Sequence, residues 1–501
     1  MLEDKQKPES MDVEDLQELF AAPETSNEKD ESLSQGKRLE QELSYKREYL
    51  FDVYDRSTVQ TAYSFAEDFK NYLDTAKTER EAVQYGISLL SNLGFVDVAS
   101  KENLVAGDKV YYDVNSKGLM AAVIGEESIT GGVNILGAHI DSPRFDIKPN
   151  PLYESEGLSY LKTHYYGGVK KYQWTNIQIA LHGVATTKDG TQVEIIIGED
   201  ENDPVFMFSD LLIHLSRDQL NKTASKVVEA EEFNLLIGGR PVAHKDVNNR
   251  FKLGILQILN ERYGLTERDL ITAELTAVPA GKARDLGFDR SMVTGYGQDD
   301  SACAFPALRA VAAQSNPKKT SVLLLTDKEE IGSYGNTGAQ SQSYENFLIE
   351  LFVKTEEEYN ELAFVKMLEK SNMLSSDVTA GYDPNFSSAF DKNNSPLIGK
   401  GVAFCKYTGS GGKSGASDAN QEYFDQVTRV MDNNNIPWQT GELGKVDQGG
   451  GGTIAHFLAA RGINVLDAGV PVLSMHAPNE ISHKLDMYNC YQVYTTFLEQ
   501  M

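Results

Sequence analysis

The sequence predicts an α/β fold in which helices cover both faces of a mixed sheet, interrupted by an inserted β-rich segment. Short, continuously apolar runs of about strand length predict the covered sheet, because a strand buried on both faces shows no polar alternation. These runs lie at 119–124, 133–137, 322–325 and 470–473, and helical patterns flank several of them. A different pattern, in the middle of the chain, predicts the insert.

That middle stretch alternates large apolar residues with smaller or polar ones, which is typical of β-strands. The alternation runs from Ile177 to Leu181, and an Asp189-Gly190 turn then leads into another apolar run at 193–197. Alternation around an Asp-Gly turn predicts a β-hairpin. We therefore expect a β-rich domain here, inserted into an α/β domain.

The N-terminal segment differs from the rest in charge. Residues 1–43 hold 13 acidic and 5 basic residues and few large apolar ones, which predicts a mobile tail with one short helix at 13–20. The expected organisation is a tail at 1–43, an α/β domain at 44–147 and 290–501, and a β-rich domain at 148–289. Within the first α/β part, Thr78 and Glu81 predict a capping box, and Gly94 predicts the end of that helix.

Composition narrows the classes of function. The 501 residues are 41% hydrophobic and 9% aromatic, so a well-buried core is expected. The formal net charge of -27 would repel nucleic acid and anionic membranes, and neither is expected as a partner. No apolar run approaches the ~20 residues of a membrane-spanning helix, and no signal peptide is apparent. The 3 cysteines include no CxxC pair, which favours a reducing compartment, and the cytoplasm is the expected location.

Histidines and acids follow several of the predicted buried strands. In open α/β sheets, ligands collect at this carboxyl edge. His139 and Asp141 come directly after the run at 133–137, and an HxD pair suits a metal-bound imidazole oriented by a carboxylate. A single HxD pair is more often found in a surface loop, so it indicates a metal site only together with other stretches.

Two acidic stretches supply such partners. Asp299 lies in Gly-Gln-Asp-Asp-Ser, where adjacent acids favour a helix start and one carboxylate can also bridge two metals. Glu329 and Glu330 directly follow the run at 322–325. At such a position one glutamate can bind a metal while its neighbour takes a proton from the attacking water.

Asp377 in Ser-Ser-Asp and His476 in Met-His-Ala-Pro complete the candidate set. A lone histidine after a buried strand is more often a core residue than a ligand. Four glycines at 449–452 allow close approach of the backbone to a ligand, although a flexible loop has the same composition. Taken together, two imidazoles and three carboxylates suit two divalent ions such as Zn²⁺, Mn²⁺ or Co²⁺.

At these residues the sequence resembles the aspartyl aminopeptidase/aminopeptidase I family of metallopeptidases. The resemblance is carried by GAHIDSP, GQDDSA, DKEEIGS, SSD and LSMHAP, in the family's order and spacing, and by YYGGV at 165–169 and DLLIHLSRD at 210–218. It extends over nearly all of 44–501. It implies a zinc-peptidase-like catalytic domain, an inserted dimerisation domain, and removal of single N-terminal residues from peptides.

The resemblance also implies a ligand set. His139 and Asp377 would be terminal ligands of one metal, most often Zn²⁺ in such a site. Glu330 and His476 would hold the other metal. Asp299 would bridge both ions.

Further roles are implied for four residues. Glu329 would be the general base, and Asp141 would orient the histidine ligand at 139. The family's tetrahedral dodecamer of dimers would place His214 in a neighbouring subunit's active site. Lys406 lies in the segment where the family has a substrate-binding lysine.

The sequence departs from the family at one point. Members of the aspartyl type carry a HAxHPN pattern shortly after the ligand aspartate, whereas this chain has Ala380-Gly381-Tyr382-Asp383-Pro384-Asn385. Both histidines are absent and an acid is added. An acidic-residue preference is therefore in doubt, and a neutral or broad preference is expected.

Two other interpretations compete with the aminopeptidase. Gly409-Ser410-Gly411-Gly412-Lys413-Ser414 is reminiscent of a P-loop, but Tyr407 stands where the Walker pattern needs its first glycine. A catalytically inactive scaffold of the same fold is the second alternative. It is disfavoured because all six metal-site residues are present, and no HExxH indicates another zinc-peptidase class.

Overall fold

A computed structural model describes residues 34–356 and 358–501. The helix predicted at 13–20 and most of the predicted tail lie outside the described residues. The described end of that segment forms a helix, Gln35–Leu43, in which no residue is buried.

Twelve α-helices lie within the described residues. In chain order they are α1 (Gln35–Leu43), α2 (Leu50–Val53), α3 (Arg56–Thr75), α4 (Glu79–Asn92), α5 (Arg217–Leu220), α6 (Arg250–Tyr263), α7 (Gln298–Ala313), α8 (Gln342–Glu356), α9 (Glu361–Glu369), α10 (Gln421–Asn433), α11 (Ala455–Ala459) and α12 (Lys484–Gln500). None of them is long and apolar enough to cross a membrane.

The β-strands of the same residues form four sheets. In chain order they are β1 (Val96–Asp97), β2 (Lys109–Val114), β3 (Gly118–Val123), β4 (Asn134–His139), β5 (Arg144–Ser155), β6 (Leu158–Tyr166), β7 (Ile179–Thr186), β8 (Gln192–Ile197), β9 (Leu235–Gly238), β10 (Glu274–Pro279), β11 (Arg284–Leu286), β12 (Met292–Gly295), β13 (Ser321–Thr326), β14 (Asn372–Ser375), β15 (Thr379–Ala380), β16 (Ala403–Cys405), β17 (Gly409–Ser410), β18 (Gln439–Thr440), β19 (Gly450–Gly451), β20 (Asn464–Gly469), β21 (Pro471–Leu473) and β22 (Glu480–His483).

The largest sheet has nine strands in the order β1-β2-β3-β13-β4-β14-β20-β16-β18. It is mixed, because β13, β4, β14 and β20 run parallel, while β3 pairs antiparallel with both β2 and β13, and β16 pairs antiparallel with β20. Its parallel centre needs cover on both faces. The predicted mixed α/β architecture is confirmed.

Strand β3 shows why the apolar runs are continuous. Leu119 and Ala121 pack into a core with α3, α4, α7 and α12 on one face. Met120 and Ala122 pack into a second core with α8, α9 and α11 on the other face. Since successive side chains point to opposite faces, a strand between two helical layers is apolar at every position.

The second sheet has six antiparallel strands, in the order β8-β7-β10-β5-β6-β9, and its strands come from the stretch between β5 and β10. It has its own core, against which the unpredicted helix α6 packs. The predicted hairpin is present as β7 and β8, in register from Leu181↔Ile197 to Thr186↔Gln192. The exact limits at 148 and 289, and the role in dimerisation, stay predictions.

The third sheet, in the order β11-β12-β22-β21-β15, corrects one expectation. The run at 470–473 was expected to be one strand of the covered sheet. Instead β20 ends at Gly469 and β21 begins at Pro471 in this smaller sheet. A Cβ at Gly469 would lie 1.7 Å from the Asp377 carbonyl oxygen, so this close approach requires glycine, and proline, which has no N–H, is tolerated as the first residue of β21.

Helix α4 connects the large sheet to the six-stranded one. The predicted capping box is present: Thr78 and Glu81 each bind the other's backbone N–H, and Gly94 follows the helix with φ 87°. The second oxygen of Glu81 lies 2.7 Å from Nδ1 of the buried His182 on β7, and Glu199 lies 3.0 Å from its Nε2. Burial alone would lower the pKa of His182, but the two carboxylates raise it above its usual value.

This contact gives a pH-dependent contribution to stability. The pKa of His182 is higher in the folded protein than its unfolded value of about 6.5. Its contacts therefore contribute their full stabilisation below about pH 6.5, and this contribution is lost as pH rises through the pKa of the folded state. His182→Gln should therefore lower the melting temperature more at about pH 6 than at about pH 8.5. Thermal unfolding of both proteins across this range measures it. The control is His164→Gln, since His164 is exposed and its imidazole forms a hydrogen bond with the adjacent Tyr165 carbonyl and stacks on the Tyr165 ring, with no carboxylate bound to it as in His182. Equal losses for His182→Gln at every pH would contradict a role for its charge.

Candidate metal centre

Three neighbouring strands of the large sheet deliver side chains to one edge. Strand β4 ends at His139, β13 ends just before the turn Glu329–Ile331, and β14 ends two residues before Asp377. These strands are parallel and adjacent, in the order β13-β4-β14. Their carboxyl ends therefore meet, as the sequence predicts.

The five-stranded sheet delivers the other two predicted ligands. Strand β12 leads through Gly297 into Asp299 at the start of α7, and β21 leads into His476. Because β22 pairs with both β12 and β21, these two segments leave the sheet side by side. The five residues are thereby brought together from two sheets.

Asp299 lies at the centre of the cluster. Its Oδ1 is 3.1 Å from His139 Nε2, and its Oδ2 is 3.1 Å from His476 Nε2. Glu330 Oε1 is 3.5 Å from the same nitrogen of His476. Donor atoms lie within 4.8 Å of one another in three groups: His139, Asp299 and Asp377; Asp299, Glu330 and His476; and His139, Glu329 and Glu330.

The orientation of both imidazoles fits a cation. Nδ1 of His139 lies 2.9 Å from the Asp141 carbonyl oxygen, and Nδ1 of His476 lies 2.9 Å from the Gly168 carbonyl oxygen. A carbonyl only accepts, so each Nδ1 carries a proton, and a ring without a second proton presents a lone pair at Nε2. Those lone pairs face the two oxygens of Asp299. These donors therefore suit a cation that binds between each Nε2 lone pair and the facing oxygen of Asp299.

The charge of the cluster supports the same conclusion. Burial, together with neighbouring carboxylates, raises the pKa of Glu330 and of Asp377 well above the usual range. Burial alone would raise the pKa of Asp299 too, but the two adjacent imidazoles, which donate from Nε2 in their protonated form, hold that pKa low. Glu330 Oε1 is buried without a hydrogen-bond partner. Nitrogen and oxygen donors with excess negative charge suit borderline divalent ions such as Zn²⁺.

Glu329 has the ionisation expected of a general base. Burial raises its pKa to about 7, the charges of Asp141 and Asp299 act in the same direction, and the two imidazoles oppose them. General bases work best with a pKa near the working pH. Glu329 also belongs to one of the three donor groups, so the geometry alone leaves it a possible ligand.

Asp141 orients its neighbours differently from the expectation. Its carbonyl oxygen, rather than its carboxylate, is the closer partner of His139 Nδ1, at 2.9 Å against 3.4 Å. The carboxylate accepts the backbone N–H groups of Glu329 and Glu330. It also accepts the hydroxyl of Tyr166 at 2.7 Å. Asp141 thus joins the histidine strand to the loop that carries both glutamates.

Two further groups complete the centre and had no role assigned from the sequence. Gly168 supplies the carbonyl for His476, and a Cβ there would lie 3.1 Å from the imidazole. Glu480 accepts the backbone N–H groups of Asp299 and His476. The signals were present, since Gly168 lies in YYGGV and Glu480 is the next acid after His476. Neither motif specifies which partner it contacts.

A cavity of about 380 Å³ opens onto the cluster. Its wall includes Asp299, Glu329, Glu330, Asp377 and His476, the glycines at 449–452, and the lysines Lys413 and Lys445. Three residues expected at a substrate site are not part of this wall. Lys406 is exposed, although its neighbours Cys405 and Tyr407 line the cavity. Ala380 and Asp383 lie beyond Thr379, the last residue of their segment on the wall.

His214 also lies away from this cavity. It sits in the exposed turn Ile213–Leu215 and is not among the residues of the same chain that line the wall. The P-loop interpretation has no support, because Gly409–Ser410 pairs with Gly450–Gly451 and the next helix begins only at Gln421. A strand, phosphate-binding loop and helix in direct succession are therefore absent from this segment.

A carboxylate-rich histidine centre at the carboxyl edge of an α/β sheet, beside a cavity, defines a metal-dependent hydrolase. Comparison with known proteins gives the particular family. The sequence model of the family described as "Aminopeptidase I zinc metalloprotease (M18)" matches residues 72–498. The chain therefore belongs to the M18 family, and it is an aminopeptidase, a hydrolase acting on N-terminal residues.

Close relatives agree with this assignment. The chain is 50% identical over 452 residues to the "Probable M18 family aminopeptidase 1" of Clostridium acetobutylicum, covering 89% of this chain and 97% of the relative. The crystal structure of the M18 aminopeptidase from Thermotoga maritima superposes with a TM-score of 0.88 at 39% identity, over 91% of this chain and all of that one. The crystal structure of aminopeptidase I from Clostridium acetobutylicum superposes with a TM-score of 0.85 at 46% identity, again over 91% of this chain and all of that one.

Proposed function

We propose that this aminopeptidase uses two Zn²⁺ ions bridged by Asp299. The observation that carries the proposal is that two donor groups share this one carboxylate, whose two oxygens face two different imidazoles. His139 and Asp377 would complete one site. Glu330 and His476 would complete the other. Mn²⁺ or Co²⁺ fits the same donor types.

The mechanism divides between the ions and the chain. When bound, the two ions supply Lewis-acid polarisation of the scissile carbonyl and lower the pKa of the attacking water. Glu329 takes the proton of that water at its carboxylate and returns it to the leaving amine. The carboxylates that line the cavity would attract the positively charged α-amine of a peptide. Binding of this amine would restrict cleavage to the N-terminal residue. The Asp141 carboxylate keeps Glu329 in place by accepting the backbone N–H of Glu329.

Two substitutions separate the roles of ligand and base. Glu329→Gln should keep both ions yet lose on the order of 10²–10⁴ in turnover, because general acid–base catalysis is worth about that factor. Asp299→Ala should lose metal and activity together, since one carboxylate serves both ions. Elemental analysis and kinetics on the same preparations provide the measurement.

The same experiment tests the alternative for Glu329. If it were a ligand, Glu329→Gln would bind fewer ions than the wild type. Wild-type activity that survives exhaustive chelation would contradict the metal mechanism altogether. Because all six site residues are present and converge, no observation favours the inactive scaffold.

We also propose that the chain assembles, as a tetrahedral dodecamer of dimers. Support comes from its own surface: Leu212, Ile213 and Leu215, around His214, are 53%, 68% and 67% exposed. Contiguous exposed apolar residues of this kind mark interaction sites. A structural neighbour that is 20% identical, with a TM-score of 0.71, is described as an mApe1 dodecamer, and it shares the fold.

Mixed subunits test this assembly. If His214 completes a neighbour's site, inactive Glu329→Gln subunits mixed with inactive His214→Ala subunits should regain part of the activity. Each site would then draw intact parts from two chains. Activity assays on oligomers of verified mixed composition measure the rescue. A monomer by light scattering, or no rescue in such oligomers, would contradict the proposal.

The proposed specificity is neutral or broad. Val378, Leu443 and Met475 give the cavity wall an apolar part. Of the lining lysines, Lys413 is already paired with Asp418 at 3.1 Å. A substrate carboxylate left without a partner beside the acidic cluster would cost several kcal/mol, or about 10² or more in rate.

A substrate panel tests specificity. Comparing kcat/KM for aspartyl, glutamyl, leucyl, alanyl and lysyl substrates should show Asp and Glu without dominance. Lys445 lines the cavity and forms no ion pair within 4.0 Å among the described residues, although its charge acts on Asp391, so Lys445→Ala shows whether it attracts acidic substrates. Its matched control is Lys406→Ala, outside the wall. A preference of about a hundredfold for Asp or Glu, equal to about 2.7 kcal/mol, would contradict the proposal.

A cytoplasmic location is proposed on the state of the cysteines. Cys303, Cys405 and Cys490 are free and buried. Disulfides are common in oxidising compartments and rare in reducing ones. Free thiols are therefore compatible with a cytoplasmic enzyme.

A further inference from the structure

We propose that Glu480 is a positioning residue of the metal centre, which fixes the separation of Asp299 and His476. This inference rests on the proposed two-metal function, because it concerns the placement of two of its ligands. Glu480 belongs to none of the donor groups found among the described residues. It acts on the ligands through their main chain.

Strand register places Glu480 between the two ligand segments. Strand β22 pairs with β12, with Glu480 opposite Gly295, four residues before Asp299. On its other side β22 pairs with β21, and the connection between those strands carries His476. Both ligand segments therefore leave the sheet at the end where Glu480 lies.

Both carboxylate oxygens of Glu480 are used. Oε2 accepts the Asp299 N–H at 3.0 Å, and Oε1 accepts the His476 N–H at 2.7 Å. The residue is 1% exposed. Gln298 donates its side-chain amide to the Glu480 carbonyl at 2.7 Å, so Glu480 is itself held in place. A carboxylate with two buried N–H donors is a strong and geometrically fixed contact.

The chemical reason for a carboxylate is its pair of equivalent acceptors. A glutamine has one acceptor oxygen and one NH₂ group, so either Asp299 or His476 would lose its main-chain partner and face another donor. The two ligands could then move apart, although the direct donor atoms would be unchanged. Partners that orient ligands in this way are typically worth about 10–100-fold in metal affinity.

Glu480→Gln should therefore weaken Zn²⁺ binding by about 10–100-fold. The measurement is a titration of the metal-stripped full-length protein with Zn²⁺ against a chromogenic chelator. The Co²⁺-substituted protein gives a second readout, because its visible absorption reports ligand geometry. That spectrum should change in Glu480→Gln, which a general loss of stability would not cause.

Asp486 provides a matched control. It too is fully buried, and its two oxygens accept the N–H groups of Gly399 and Gly401, at 2.7 Å each, away from the metal ligands. Asp486→Asn should lower the melting temperature while leaving the Zn²⁺ affinity and the Co²⁺ spectrum unchanged. Should Glu480→Gln fail to fold, Glu480→Asp, which keeps the charge but is one methylene shorter, decides the question by the same comparison.

The outcomes separate this inference from the proposed function. Failure of the wild type to bind two ions would refute the two-metal function. A wild type that binds two ions, with Zn²⁺ affinity and Co²⁺ spectrum unaltered in Glu480→Gln, would overturn the positioning role alone. Equal weakening by Asp486→Asn would also overturn it, since any buried carboxylate would then suffice.

Discussion

The concentration of buried carboxylates around two imidazoles is the constraint on which the rest of this structure depends. Donor oxygens of Asp299, Glu330 and Asp377 lie close together beside the cavity, and like charges at such distances repel. Both histidines donate Nδ1–H to carbonyl oxygens, which leaves Nε2 of each ring directed at the carboxylates. Protons or bound metal cations relieve the repulsion in such a cluster without dispersing it. The fold keeps its members together.

Two sheets share this task. The nine-stranded sheet supplies three ligand segments from adjacent parallel strands, whose positions follow from one continuous hydrogen-bonded ladder. The five-stranded sheet supplies the central carboxylate of Asp299 and the second histidine, His476. Contacts across the cluster join the sheets, namely His139 with Asp299 and Glu330 with His476. The six-stranded sheet adds the Gly168 carbonyl, so all three sheets meet at the centre.

Much of the cavity wall consists of loops, whose conformations are less strongly predicted by sequence pattern than those of buried strands. The glycines at 449–452 and the segment around Lys413 pair with each other rather than with a large sheet. Their place on the cavity wall follows from turns and from close backbone approach, as at Gly450 with φ 133°. This explains why the metal ligands are better specified by motif than the residues that select a side chain. The turn that carries His214 is exposed together with its apolar neighbours Leu212, Ile213 and Leu215.

The sequence by itself determined the covered α/β sheet, the β7–β8 hairpin, the capped helix α4 and the set of acids and histidines that converge. These follow from local rules: apolar periodicity, turn chemistry and the short step from a buried strand to its carboxyl end. Tertiary structure alone decided that the run at 470–473 joins the five-stranded sheet rather than the nine-stranded one, that Asp141 holds the glutamate loop, and that Lys406 is not part of the cavity wall. Glu480 belongs to the same group. Each of these depends on a contact between segments far apart in the chain, and no local pattern of residues encodes which distant backbone group a buried carboxylate will bind.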